Sequence, residues 1–169
     1  MNFSNISDSR KFNMTIEGKV ASDNSKIHIK KILVSIDGSE YSLNATRYAI
    51  RIAKGEDAQL FCIHIIVSIP YGYATGASAA DQYFNDVEVK VQSWFDRDMA
   101  KQEPIPELKT EIFRDVKSVI GSILDYANSR DIDLIVIGTK GRTGLKKLLM
   151  GSVANGVVQH THCSVLLVR

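Results

Sequence analysis

The part of this sequence best suited to chemistry is a glycine-punctuated connection between an apolar strand and a helix. Residues 138–153 read GTKGRTGLKKLLMGSV, a G-x-x-G-x9-G-S spacing built on Gly138, Gly141, Gly151 and Ser152. A polyphosphate is gripped by backbone N–H groups, and glycine removes the Cβ that would block their approach. Gly151 and Ser152 open a helix, where unpaired N–H groups and the positive end of the dipole favour an anion. Ser152 can also cap that helix through its hydroxyl and reach a phosphate oxygen. Lys140, Arg142, Lys146 and Lys147 add positive charge along the loop. Any one of these glycines is equally well a turn or a cap; the full spacing between strand and helix is what points to phosphate. No G-K-[ST] follows, so this is not a Walker A loop, and the G-x-G-x-x-G dinucleotide pattern is absent.

The remaining reactive side chains are scattered. Asp37 ends the run KILVSID ahead of Gly38, where it is either a ligand-facing carboxylate or a turn former. His64 lies within the apolar run LFCIHII and reads as a hydrogen-bonded core histidine. His160, His162 and Cys163 form a poor metal set if they fall at a helix end and turn, so a polar helix end is expected. Cys62 and Cys163 are expected to be reduced and buried. Tyr71 and Tyr73 either stack on a base or cover surface.

These residues need elements to position them. Apolar runs at 31–37, 60–66, 108–113, 133–138 and 164–169 read as strands, the third weaker and nearer a sheet edge. Between them lie helical stripes: Ala45, Ala49, Ile52 and Ala53, ending near Gly55; then Phe84 to Met99; then Val116, Val119, Ile120, Ile123, Leu124 and Ala127; then Ser152 to Gln159. Residues 67–80, with Pro70, Gly72 and Gly76, read as a long loop suited to a lid. Strand and helix alternate throughout, which implies right-handed βαβ units in an α/β, doubly wound parallel sheet of order 3-2-1-4-5. The switch point then falls between the strands ending at Asp37 and Gly138, where such sheets bind ligands.

Bulk properties bound the rest. A chain of 169 residues, 44% apolar and 24% charged, suits a single soluble domain with a sizeable core. A net charge of +2 is too small to argue for nucleic acid or an anionic membrane. No run approaches the ~18 apolar residues of a bilayer span, and the start has no signal-peptide pattern. Two cysteines favour the cytoplasm over a disulfide scaffold. Residues 1–29, rich in Asn and Ser, read as a loosely ordered extension to a domain at 30–169.

From Lys30 to Arg169 the chain resembles the universal stress protein family, in its ATP-binding branch. The opening ILVSIDGSEYSLNA, the strand end CIHII and the glycine signature continuing into SVANGVV and CSVLLVR carry the likeness. The resemblance implies a Rossmann-like five-stranded domain that binds ATP, with or without Mg²⁺, usually as a homodimer paired through the C-terminal strand. It puts Asp37, with Ser35 and Ile36 before it, at the ribose or adenine side, and has Ile65 hold the adenine. Core packing is an equal account of Ile65. Ile137 and Gly138 would line the ribose-phosphate turn, and Gly141, Arg142, Gly151, Ser152 and Val153 the phosphates. Thr161 and Ser164 stand where members often have proline. Between Gly138 and Val153 there is no Asp, Glu or His, whereas hydrolysis needs a positioned base or metal-held water. Asp37 is the nearest plausible Mg²⁺ partner. A regulatory stress-response module with slow hydrolysis at most is therefore expected, the alternative being an α/β enzyme that hydrolyses or transfers from ATP.

Overall fold

Side-chain alternation in the apolar runs decides the architecture. The computed structural model describes residues 28–67, 77–99, 107–116, 118–142 and 150–169. In β1 (Lys31–Ser35), Ile32 and Val34 enter one buried cluster while Leu33 enters another. The same split separates Leu60 and Cys62 from Phe61 and Ile63 in β2 (Gln59–Val67). It recurs for Leu134 and Val136 against Ile135 and Ile137 in β4 (Leu134–Gly138). Successive side chains on a strand point to opposite faces, so a strand apolar at every position must be covered on both.

With β3 (Leu108–Val116) and β5 (Ser164–Val168) the strands form one parallel sheet, ordered β3-β2-β1-β4-β5, as the alternation predicts. Ile32 pairs with Leu60 on one side and Leu134 on the other, which fixes the register of the three inner strands. β3 lies at one edge and β5 at the other.

One face is covered by α1 (Glu40–Glu56) and α2 (Ala77–Met99). Ala45, Ala49 and Ala53 are fully buried, and their small side chains let α1 lie close to β1 and β4. The helix starts ahead of its apolar stripe because the Ser39 hydroxyl accepts the Ser42 N–H at 3.2 Å. It stops at Asp57, which turns left-handed at φ 53° while its N–H bonds the Ala53 carbonyl. The other face carries α3 (Val119–Ser129) and α4 (Ser152–His160).

Two expectations need correction. The predicted 67–80 loop is too long at both ends: Val67 completes β2, and α2 already begins at Ala77, where Ala77, Ala79 and Ala80 favour helix. Val116, placed by its spacing on a helical stripe, instead ends β3 paired to Val67. Ser118 starts the helix by accepting the Gly121 N–H at 3.1 Å. The proposed N-terminal extension lies outside the described residues except for 28 and 29. Tyr71, Tyr73, Gly144, Lys146 and Lys147 also lie outside them.

Candidate functional site

β1 and β4 are neighbours, yet their following helices leave to opposite faces, which opens a crevice at the carboxyl ends of the strands. A cavity of about 410 Å³ fills it, within the range of small-molecule sites. Every residue expected at the site borders this cavity. Ser35, Ile36 and Asp37 come from the end of β1, and Ile65 from β2. Ile137, Gly138, Gly141 and Arg142 come from β4 and its loop, and Gly151, Ser152 and Val153 from the start of α4.

Asp37 is the most connected of them. Its Oδ1 accepts the Ser39 N–H at 3.0 Å, and its Oδ2 accepts the Arg142 N–H at 3.0 Å from across the crevice. Its own N–H points to the Ser42 hydroxyl at 3.3 Å. Burial pushes this carboxyl up, but hydrogen bonds from Ser39, Ser42 and the Arg142 N–H outweigh it and hold the acid below its ordinary range. Beside it, His64 Nδ1 lies 2.5 Å from the Ile36 carbonyl oxygen and therefore carries the proton it donates. Burial lowers the His64 pKa, against the opposing pull of the Ile36 bond and the Asp37 charge, so the ring is neutral. Trp94 of α2 meets the His64 ring edge-on, with centroids 5.6 Å apart.

The glycine loop is tied at its start. A Cβ on Gly138 would stand 2.7 Å from the Tyr41 carbonyl carbon, and one on Gly141 would stand 2.8 Å from Asp37 Oδ2. Thr139 bonds both ways: its N–H reaches the Val168 carbonyl at 2.8 Å, and its carbonyl accepts the Gly151 N–H at 2.7 Å. The helix cap departs from expectation. Gly151, not Ser152, is the N-cap of α4 and offers no side-chain cap, so Ser152 is the first helical residue. The first-turn N–H groups of α4 lack intrahelical partners by helix geometry, and Ser152, Val153 and Ala154, which carry them, line the cavity.

Comparison with known proteins settles the family. The model of the "Universal stress protein family" matches residues 28–169. The chain belongs to the universal stress protein family. It is 33% identical to a universal stress protein of Methanocaldococcus jannaschii over 142 residues, covering 83% of this chain and 82% of that one. Its fold matches that of UspA from Lactobacillus plantarum with a TM-score of 0.67 at 28% identity, covering 84% of this chain and 99% of that one. A universal stress protein from Archaeoglobus fulgidus, solved in complex with dAMP, shares the fold with a TM-score of 0.58 at 22% identity, covering 85% and 100% of the two chains.

The same cavity has walls that sequence reasoning missed. Ser42, Val67, Val119, Thr139 and Ala154 line it, and Lys140 joins them after being read only as a loop charge. Thr139 had a signal in its place between Gly138 and Gly141, and Val119 in its place at a helix start on the switch-point side. Ser42 and Ala154 had none beyond following a helix cap. Ile65 does two jobs, packing with Leu33 and Phe61 while keeping 9% of its surface open on the cavity side.

The donor set suits an anionic nucleotide. Among the described residues a Cβ on Gly151 would find nothing nearer than 3.5 Å, so none of their contacts demands a glycine there. The Thr139 hydroxyl is buried without a partner among the described residues, a cost of about 1–3 kcal/mol unless something else satisfies it. Ile36, Ile65, Val67 and Val119 supply apolar lining to the cavity, and Lys140 and Arg142 supply positive charge. Elsewhere, His160 Nδ1 is 2.8 Å from the Gly156 carbonyl and Thr161 Oγ1 is 3.3 Å from Cys163 Sγ. Among the described residues no group of three or more His, Cys, Asp or Glu could hold a metal. Cys62 is buried, with its thiol pushed up by burial, whereas Cys163 is only partly covered, contrary to the burial expected for both.

Proposed function

We propose that this universal stress protein binds ATP in the crevice between β1 and β4 and acts as a regulatory module with slow hydrolysis at most. The observation that carries the reading is the glycine-started N-terminus of α4, with no side-chain cap, bordering a cavity that apolar side chains, Lys140 and Arg142 also line. Phosphates there would meet the unpaired N–H groups of Ser152, Val153 and Ala154, with Gly141 and Arg142 beside them. Adenine would lie against Ile65 and Val67, and the ribose beside Asp37. The dAMP complex of the Archaeoglobus fulgidus relative supports an adenine nucleotide as the ligand class. Among the described residues Asp37 is the only carboxylate lining the cavity, and backbone N–H bonds already engage both of its oxygens, which favours binding over turnover. Any Mg²⁺ would arrive with the phosphates and rely on them for most of its ligands.

The protein is proposed to be cytoplasmic and a homodimer. β5 is an edge strand on which Val165, Leu166 and Leu167 stay partly exposed, a surface suited to pairing across a two-fold axis. ATP can switch such a protein only by favouring one conformation or assembly over another.

The test is to denature freshly purified protein that has never met added nucleotide and identify what it releases. Near-stoichiometric ATP is the expected result. Predominant ADP with measurable steady-state turnover, lost in Ser152→Ala, would favour the enzyme. No nucleotide, together with no rise in melting temperature at millimolar ATP, would overturn the reading.

A further inference from the structure

The carboxylate of Asp37 occupies both sides of the crevice at once. Oδ1 takes the Ser39 N–H within its own turn, and Oδ2 takes the Arg142 N–H from the glycine loop, a residue 105 positions later. Between the two sits Gly141, and a Cβ there would fall 2.8 Å from Oδ2. Among the described residues nothing else within ordinary contact range confronts that position except the carboxyl carbon of the same residue. The second glycine of the signature is thus explained by a protein carboxylate, before any phosphate is considered.

We infer that Asp37 is a latch that shapes the start of the phosphate loop, in addition to lying beside the ribose. The bond ties the start of the loop, residues 141 and 142, to the end of β1 and fixes the neighbouring N–H groups. His64 backs the latch from below: its Nδ1–H bond to the Ile36 carbonyl fixes the peptide just before Asp37. Asp37 is therefore a positioning residue for phosphates that it cannot itself attract.

A carboxylate repels a polyphosphate, so in a site where Asp37 only contacts ribose, removing it costs adenosine most and ATP least. With the latch, removing it unhooks the loop, and the loss grows with the number of phosphates. The affinity part rests on the ATP reading above; the loop part does not.

The experiment uses the full chain, its Asp37→Ala and Asp37→Asn variants, and two readouts. Amide hydrogen exchange of Arg142 is followed by NMR in nucleotide-free protein, and affinities are measured for adenosine, AMP and ATP. The expected result is an Arg142 amide protected in the parent and exchanging about tenfold faster in Asp37→Ala, the scale of one charge-assisted hydrogen bond. ATP affinity should then fall about tenfold further than adenosine affinity, with Asp37→Asn intermediate because it retains one acceptor oxygen. Unchanged Arg142 exchange overturns the latch. So does a loss that is equal for all three ligands or greatest for adenosine. Failure of the parent chain to bind any of them would sink the ATP reading alone, because the exchange experiment needs no ligand.

Discussion

The two ends of the glycine loop look alike in sequence and differ in what holds them. At residues 138–142 the chain grips itself: Gly138 abuts the Tyr41 backbone, Gly141 abuts Asp37, and the Arg142 N–H ends on the Asp37 carboxylate. At 151–153 the chain stops gripping. Gly151 has an ordinary φ of −75°, no side-chain cap and, among the described residues, room for a Cβ; its N–H bonds the Thr139 carbonyl and its own carbonyl accepts the Asn155 N–H of the first helical turn. A single signature thus holds glycines of two kinds, one kind crowded by the fold and the other with room for a side chain among the described residues. Substitution should separate them by which property fails, stability or binding.

The largest effect is expected at Gly138. A methyl group there must displace main chain of α1, since its nearest contacts are the Tyr41 carbonyl carbon and oxygen at 2.7 and 2.9 Å. Gly138→Ala should destabilise by about 2–3 kcal/mol, as overpacking against backbone does. Urea denaturation would show it as a lowered midpoint with an unchanged slope. Gly151→Ala is the counterpart. It should cost less than about 1 kcal/mol in stability, the penalty of a poorer N-cap residue, while lowering ATP affinity about tenfold by narrowing the approach to the first-turn N–H groups. If Gly151→Ala proved as destabilising as Gly138→Ala, the division between the two ends would collapse.

Ser152→Asp sharpens the contrast by driving stability and binding in opposite directions. A carboxylate at the first helical position interacts well with the helix dipole and should stabilise the fold by about 0.3–1 kcal/mol. The same charge meets incoming phosphate and should remove most of the ATP-induced rise in melting temperature. A variant that is more stable and still binds ATP normally would show that phosphates do not sit at the α4 terminus.

Much of this was legible in the sequence because the signals are local. The inner strands could be read because burial on both faces leaves no polar position in ILV at 32–34 or LIVIG at 134–138. The doubly wound parallel sheet followed from alternation and crossover handedness, and the crevice followed from the predicted order 3-2-1-4-5. What escaped depends on contacts between distant segments. The role of Gly141 is set by Asp37, which no spacing within the loop reveals. Val116 has the right period for a helix, and only its pairing with Val67 makes it a strand residue. Ser152 has the right chemistry for a cap, but the chain turns one residue earlier, after the Gly151 N–H has bonded to Thr139.

The smallest effect expected is a pH dependence on the self-gripping side. His64 is buried in the fold as a neutral ring, donating from Nδ1 to the Ile36 carbonyl, and burial holds its pKa below the ordinary histidine value. A histidine lowered in this way binds a proton more readily when unfolded. Its contribution is complete above the unfolded pKa of about 6.5 and is lost as pH falls from there through the lower folded value. Stability measured between pH 8 and pH 5 should therefore decline on the acid side, with the carboxylates still ionised. His64→Asn supplies a donor near the Nδ1 position and cannot titrate in this range, so the decline should flatten while ATP affinity at pH 8 stays close to that of the parent. A decline that survives in His64→Asn would assign the acid sensitivity to another group. Loss of ATP affinity at pH 8 in that variant would instead mean that the ring itself, and not merely its bond to Ile36, keeps the Asp37 turn in place.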